Sequence, residues 1–260
     1  MAADRRACKS LRATPIILLL LAHALTACGA SNPELPGKIA LLAPFEGQYR
    51  DIGYNALYAA RLAFGDAKPQ DIQLMAIDDG GTRASAVARV RALNLDPAVL
   101  AIIALGPVAT DPSTQMANSK PLILIGNWGQ DRADEDSLYA ANARQTKARG
   151  RGDLDLLLQT RKVVVAAEPV SFVSSGAPPD ADFRERYLNS AMYAPAPNWL
   201  ATLTYDIARL TLAALAGGRA INTAEYLGLN GLIRFEDGYW LDAPLNRVRL
   251  EGDQLVLDAD

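Results

Sequence analysis

The chain has 260 residues, of which 26 are basic and 29 acidic, so its formal net charge at pH 7 is −3. A mildly acidic chain is a poor match for the phosphate backbone, and this composition argues against nucleic-acid binding. Half of the residues are hydrophobic, which is enough apolar material for one globular domain of ordinary size or two small ones.

The first 27 residues have the features of an export signal. Four basic residues precede the apolar run ATPIILLLLAHAL, which spans residues 13–25. A run of this length after a charged segment is typical of a secretory signal peptide and is shorter than a membrane-spanning helix requires. We therefore predict a signal peptide over residues 1–27.

The signal ends in LTAC, residues 25–28, which resembles the lipobox of bacterial lipoproteins. The resemblance implies that Cys28 receives diacylglycerol on its sulfur, that the chain is cleaved before Cys28, and that the new amino group takes a fatty acid such as palmitate. Several acyl chains on one residue hold a protein firmly at a membrane surface. The alternative is an ordinary signal peptide with an incidental cysteine.

Cleavage before Cys28 leaves few residues suited to catalysis. The only histidine, His23, and the second cysteine, Cys8, are both removed with the signal. Catalysis by Ser-His-Asp or Cys-His groups and zinc sites built on His or Cys are thereby excluded. We expect no enzyme activity, no metal and no cofactor. The signal also takes away four basic residues and Asp4, which moves the formal charge from −3 to −6.

Buried strands and helices alternate after a short tether. Residues 28–37 are rich in Pro, Gly and small polar residues and predict the tether. Asp111 is expected to cap a short helix that begins at Pro112. Apolar runs predict strands at 38–45, 71–79, 99–106 and 121–128, and amphipathic patterns predict helices at 54–67 and 82–95. This alternation predicts a parallel sheet covered by helices on both faces.

Ligands of open parallel sheets collect beyond the carboxyl ends of the strands. In this chain those ends lead into four loops, at residues 44–47, 78–81, 106–110 and 126–129. These loops are therefore the first place to search for a binding site.

The second half of the chain begins with a basic run over residues 142–153, which contains Arg144, Lys147, Arg149 and Arg151. A solvated loop is one interpretation, and contact with anionic headgroups or a partner is the other. Further along, the pattern predicts helical turns at 153–160, a strand at 162–172, helices at 182–192 and 199–218, and strands in the tail with turns at 236–238 and 251–253.

Five segments, taken in this order, resemble the branched-chain amino-acid receptor family, the type I periplasmic binding proteins that capture substrates for ABC importers. The resemblance covers about two-thirds of the chain after the signal. The segments are KIALLAPFEGQYRDIGYNALYAARLAF (38–64), IQLMAIDDGGTRASAVARVRAL (72–93), VLAIIALGPVAT (99–110), TYDIARLTLAALAGG (204–218) and GLIRFEDGYW (231–240).

The resemblance implies two α/β lobes joined by three crossings, with the ligand between them. Here only residues 129–161 lie between the fourth strand and the return at 162, whereas an independent lobe needs on the order of 100 residues. We therefore predict one three-layer, Rossmann-like lobe made of 38–128 and 162–260, with 129–161 as a short bypass and the second lobe largely absent. The alternative is that the basic run at 142–153, within this segment, is an ordinary surface loop in an unrelated fold.

The resemblance also implies a ligand site at the strand ends. Thr110 matches the hydroxyl position that holds the ligand carboxylate, although plain turn chemistry is an equal alternative, and the charge of Asp111 would oppose an anionic ligand. With one lobe the site becomes an open shelf. The candidate ligand-binding residues are Phe45, Glu46, Thr110, Asn127, Trp128 and Gly129.

Two functions follow as hypotheses. The first is a lipid-anchored, non-catalytic solute-binding-protein homologue at the cell envelope, which binds an amino-acid-like molecule for an ABC permease or contacts a partner, including a second copy in a homodimer, through its open face. The second is a structural or regulatory envelope lipoprotein that kept the fold and lost small-molecule binding.

Overall fold

The apolar runs predicted as buried strands form the parallel part of the main sheet. The computed structural model of the chain describes residues 35–126, 128, 137–141, 171–251 and 254–257. Hydrogen-bonded registers join neighbouring strands in the spatial order β2-β1-β3-β4-β5. These strands are β1 Gly37–Ala43, β2 Ile72–Asp78, β3 Val99–Leu105, β4 Leu122–Ile125 and β5 Leu138–Ala141.

Five helices accompany the sheet within the described ranges. They are α1 Arg50–Ala67, α2 Arg83–Leu95, α3 Pro112–Met116, α4 Ala181–Asn189 and α5 Trp199–Ala216. The predicted cap of α3 is confirmed, because the Asp111 side chain accepts a hydrogen bond from the Ser113 N–H. None of the helices that the structure describes combines the length and the apolar character needed to cross a bilayer.

Three short strands extend the main sheet beyond β5. They are β7 Glu225–Gly228, β8 Gly231–Glu236 and β9 Tyr239–Trp240. β9 runs parallel to β5, and β8 and β7 follow in antiparallel order. The predicted turn at 236–238 joins β8 to β9, with positive φ angles at Asp237 (50°) and Gly238 (73°), as a tight hairpin turn requires.

A second, three-stranded antiparallel sheet contains β6 Ser171–Ser174, β10 Asn246–Glu251 and β11 Gln254–Leu257, in the order β11-β10-β6. We predicted that segment 162–260 completes the lobe and ends in a terminal hairpin. Its described strands divide between two sheets, with β7, β8 and β9 in the main sheet and β6, β10 and β11 in the second. The sequence of β10, Asn-Arg-Val-Arg-Leu-Glu, alternates polar and apolar residues. That pattern suits an antiparallel sheet with one solvent-exposed face. It does not suit a parallel sheet, which is buried on both faces. The bypass boundaries, 129–161, stay a prediction, and within this segment residues 138–141 form β5, a strand of the main sheet.

The core lies on both faces of the main sheet. Ile39 and Leu41 of β1 belong to the cluster formed with α1 and α5, whereas Ala40 and Leu42 belong to the cluster on the α2 face. Successive residues of a strand point to opposite faces, so a continuous apolar strand needs a helix on each side. The predicted covering of both faces is confirmed.

Element boundaries differ from the sequence pattern by a few residues. Helix α1 starts at Arg50 and not at 54, β4 is shorter than its predicted span of 121–128, and α4 ends at Asn189 and not at 192. The Ser190 hydroxyl donates to the Tyr187 carbonyl at 2.7 Å, which satisfies an acceptor at the end of α4. The helical turns predicted at 153–160, and residues 162–170 of the predicted strand, lie outside the described residues.

Candidate functional site

The loop after β1 lies at the carboxyl edge of the sheet, where β2, β3 and β4 also end. Phe45 is half-buried, and its ring centroid is 5.9 Å from that of Tyr54 on α1. Glu46 is exposed and precedes a short 3-10 turn at Gly47–Tyr49. Both residues are therefore placed where the strand-end argument expects ligand contacts.

Asp78, at the end of β2, holds this loop. Its Oδ1 accepts hydrogen bonds from the backbone N–H of Phe45 (2.7 Å) and of Glu46 (3.2 Å), and its Oδ2 accepts from the Gly80 N–H (2.8 Å). Hydrogen bonds to an ionised carboxylate are stronger than neutral ones. One side chain therefore fixes the backbone of the first strand-end loop to the second.

Helix α1 presses on the same loop from the other side. A Cβ atom at Gly53 would lie 1.8 Å from the Pro44 carbonyl oxygen, so only glycine permits this approach. The loop is thus held between the first turn of α1 and the Asp78 carboxylate.

Thr110 is turned inward. Its hydroxyl donates to the Gly106 carbonyl oxygen at 2.8 Å, its backbone N–H donates to the same oxygen at 3.0 Å, and only 3% of the residue is exposed. Gln115 adds a hydrogen bond from its Nε2 to the Thr110 carbonyl at 2.8 Å. In this arrangement the hydroxyl proton stabilises the turn after β3, and the ligand role of Thr110 stays a prediction.

The charge of Asp111 is compensated inside the protein. Its carboxylate caps α3 through the N–H and hydroxyl of Ser113, and its Oδ2 lies 2.8 Å from the Nε of Arg83. Burial opposes ionisation, but the Ser113 hydrogen bonds and the Arg83 charge hold the pKa of Asp111 below its usual value. The ion pair therefore reduces the repulsion that Asp111 would exert on an anionic ligand.

Trp128 follows β4 and is also directed inward. Its indole Nε1 donates to the Ile125 carbonyl oxygen at 3.0 Å, and 6% of the residue is exposed. Asn127 and Gly129 lie outside the described residues, so their predicted ligand contacts stay predictions.

Asp79 is a buried carboxylate beside the same edge, with 1% of its surface exposed. Its Oδ1 accepts from the Gly81 N–H at 2.8 Å. Burial, with a contribution from the neighbouring charge of Asp78, raises the pKa of Asp79 above its ordinary value of 3.8, and the Gly81 hydrogen bond only partly offsets the effect.

Sequence reasoning did not assign a role to Asp78 or Arg83. A signal for Asp78 was present, since an aspartate at a strand end followed by Asp-Gly-Gly indicates a carboxylate that bonds nearby backbone N–H groups. The Arg83 contact joins positions 28 residues apart on different elements, so no local pattern shows it.

Comparison with known proteins gives matches only at the level of structure. No family model and no curated protein matches the sequence. A solute-binding protein of R. palustris in complex with benzoate is 13% identical, with a TM-score of 0.60 over 85% of this chain and 95% of that chain. A substrate-binding protein of Desulfitobacterium hafniense in complex with Leu is 12% identical (TM-score 0.61, 85% and 99%), and a leucine-binding protein of Thermotoga maritima is 15% identical (0.58, 86% and 98%).

The chain has the type I periplasmic binding protein fold. The resemblance predicted from the sequence is thereby confirmed, and so is the α/β fold class with a large, mostly parallel sheet. Among the described residues the main sheet is accompanied only by a sheet of three strands, and a chain of 260 residues is short for two full lobes, so the second lobe is reduced.

Replacing Asp78 with Asn tests the clamp on the first loop. Asn keeps one acceptor oxygen but loses the charge and the second acceptor, so we expect a loss of about 1.5–3 kcal/mol in the free energy of unfolding. The amides of Phe45 and Glu46 should also exchange hydrogen faster. Asp71→Asn, at an exposed position just before β2, should change neither quantity. Unaltered amide exchange in Asp78→Asn would contradict the clamp.

The raised pKa of Asp79 predicts a stability effect with a defined sign. The folded state binds a proton at Asp79 more tightly than the unfolded state, so stability is lost as the pH rises from 3.8 through the folded pKa. Asp79→Asn mimics the protonated acid and keeps the acceptor for Gly81. We expect this variant to be more stable than the parent at about pH 7 and equal to it at about pH 3 in denaturant titrations. A variant less stable than the parent at neutral pH would show that the carboxylate is favourable when ionised.

Proposed function

We propose that this protein is a lipid-anchored, non-catalytic solute-binding-protein homologue that binds a small, amino-acid-like carboxylate at the carboxyl edge of its main sheet. The observation that carries the proposal is the type I periplasmic binding protein fold, combined with strand-end loops that are held rigidly by Asp78 and α1. Solute-binding proteins of this fold act by capture and not by catalysis, in keeping with the absence of His and free Cys after the predicted signal.

The ligand class rests on two observations. Two of the structural neighbours hold benzoate and Leu, and both molecules carry a carboxylate. In this chain the Arg83 guanidinium neutralises Asp111 next to the position where Thr110 ends its turn, so Asp111 does not repel an anion there as the sequence alone implied.

Contacts to the ligand would come from the half-buried ring of Phe45, from Glu46 for an ammonium group, and from the loop that contains Asn127, Trp128 and Gly129. Thr110 would donate to the ligand only if its hydroxyl left the Gly106 carbonyl. A shelf with a reduced second lobe buries less of a ligand than a closed cleft does, and weak affinity follows. Delivery to an ABC permease fits such a protein, with export and lipid attachment at Cys28 keeping it at the envelope membrane.

A structural or regulatory envelope lipoprotein is the second candidate, and one observation favours it. The hydroxyl of Thr110 and the indole N–H of Trp128 both donate to nearby carbonyl groups of their own chain. Donor groups that are already hydrogen-bonded to the protein's own backbone are compatible with a fold that no longer binds a ligand.

Calorimetric titration distinguishes the two candidates. The full-length chain, purified in detergent, is titrated with the standard amino acids and with benzoate. We expect heat with at least one ligand, at an affinity near the millimolar range, which corresponds to about −4 kcal/mol. Phe45→Ala should weaken it, whereas Leu95→Ala, on an exposed residue at the end of α2, should not. Absence of both heat and thermal shift at millimolar ligand would remove the binding function and favour the structural one.

Lipid attachment has its own test. Cys28→Ser should abolish metabolic labelling with palmitate and move the exported protein from the membrane fraction to the soluble fraction, because the thiol is the site of acylation. Cys8→Ser is the matched control and should leave both unchanged. Undiminished labelling of Cys28→Ser would exclude the anchor.

A further inference from the structure

A buried polar cluster that the strand-end loops do not include lies around Asp206 in the middle of α5. Asp206 is fully buried, and its Oδ2 accepts two hydrogen bonds from Asn230, one from the backbone N–H (2.8 Å) and one from Nδ2 (2.7 Å). Asn230 lies in the turn between β7 and β8. This pair therefore ties α5 to the end of the main sheet.

The turn reaches α5 because Gly228 has no side chain. A Cβ atom at Gly228 would lie 2.2 Å from the Asp206 Oδ1. Any larger residue at this position would force the Asp206 carboxylate to shift from its hydrogen bonds with Asn230.

The same cluster holds one connection between the two sheets. The segment after β6 leads from the three-stranded sheet towards α4, and within it the Ala177 N–H donates to the Asn230 Oδ1 at 2.6 Å. The Thr202 hydroxyl of α5 lies 2.8 Å from the Ala177 carbonyl oxygen. Both polar groups of the Ala177 backbone are therefore engaged by the cluster.

The second connection runs from β9 to β10 and is tied to the first. Asn246, the first residue of β10, donates from its Nδ2 to the Gly176 carbonyl at 2.7 Å. The Gly176 N–H donates to the Ser174 hydroxyl at 3.1 Å. Both described connections between the sheets thus meet at residues 176–177, against the first turns of α5.

We propose that the residues Thr202, Asp206, Asn230 and Asn246 form an internal latch that fixes the three-stranded sheet in one orientation on the main sheet. Receptors with two lobes need mobile crossings to close over a ligand. Here the two described crossings are tied together by a buried network, and buried polar networks lose much of their stabilisation when one member is left unsatisfied. The latch makes the described parts of the two sheets one rigid unit that does not open and close.

Helix α5 supplies a matched set of substitutions to test the latch. Thr202, Thr204 and Thr211 are all fully buried. The Thr202 hydroxyl lies 2.8 Å from two carbonyl oxygens, that of Trp199 within α5 and that of Ala177 in the crossing. Thr204 and Thr211 donate only to α5 carbonyl groups, those of Leu200 and Ile207. Valine at each position removes a hydroxyl of the same burial, but only Thr202→Val acts on the latch.

The experiment measures distances by pulsed electron paramagnetic resonance in the full-length chain, with Cys8 and Cys28 replaced by Ser. Spin labels are placed at the exposed positions 89 on α2 and 247 on β10. The parent should give one narrow distance distribution, and Thr202→Val and Asn230→Ala should broaden it. Amide protection of Ala177 should fall roughly tenfold in Asn230→Ala, which corresponds to the loss of one net hydrogen bond.

Thr204→Val and Thr211→Val should keep the narrow distribution. The latch is overturned if Thr202→Val and Asn230→Ala leave the distance distribution unchanged. It is also overturned if Thr204→Val broadens the distribution as much as Thr202→Val does, because the effect would then be a general weakening of α5. If Thr202→Val does not fold, Asn246→Ala decides the question: Asn246 is half-buried, and broadening supports the latch whereas a parental distribution overturns it.

Discussion

The burial of the parallel strands on both faces is the constraint on which the rest of the structure depends. Residues 39–43 of β1 have no exposed surface, and a parallel pair of this kind is stable only when both faces are covered. That requirement places α1 and α5 on one side and α2 on the other. Because these strands are parallel, the loops that follow β1, β2, β3 and β4 come together at one edge of the sheet.

Parallel strands and their helices were predictable because their signals are local. Continuous apolar runs mark β1 to β4, Asp111 before Pro112 marks the start of α3, and Asp237 with Gly238 marks a tight turn. The three-stranded sheet was not predictable in this way. β6 and β10 pair residues such as Val173 and Arg247 across more than 70 positions, and no periodicity within either segment specifies that partner.

In the candidate site, too, positions were predictable from the sequence and contacts were not. Strand-end position identified the loops around Phe45, Glu46, Thr110 and Trp128, and the structure places these four residues after β1, β3 and β4. Their hydrogen bonds were not predictable, because a hydroxyl that donates to Gly106 and a carboxylate paired with Arg83 depend on rotamers and on contacts between distant elements. The expected effect of Asp111 on a ligand changes with this information. Asp111 alone opposes an anion, whereas Asp111 with Arg83 is close to neutral.

Rigidity at the strand ends and rigidity between the sheets act in the same direction. A receptor that closes over its ligand gains affinity by excluding water, but it must also order its lobes when it binds. A chain with a reduced second lobe cannot gain affinity by excluding water from the ligand. A preformed shelf, however, avoids the cost of ordering two lobes on binding. The Asp78 clamp, the close approach at Gly53 and the network around Asp206 all remove motion before any ligand arrives. Under the proposed function, such a surface would discriminate by shape and charge at modest affinity, and it would present the same face to a small carboxylate or to another protein.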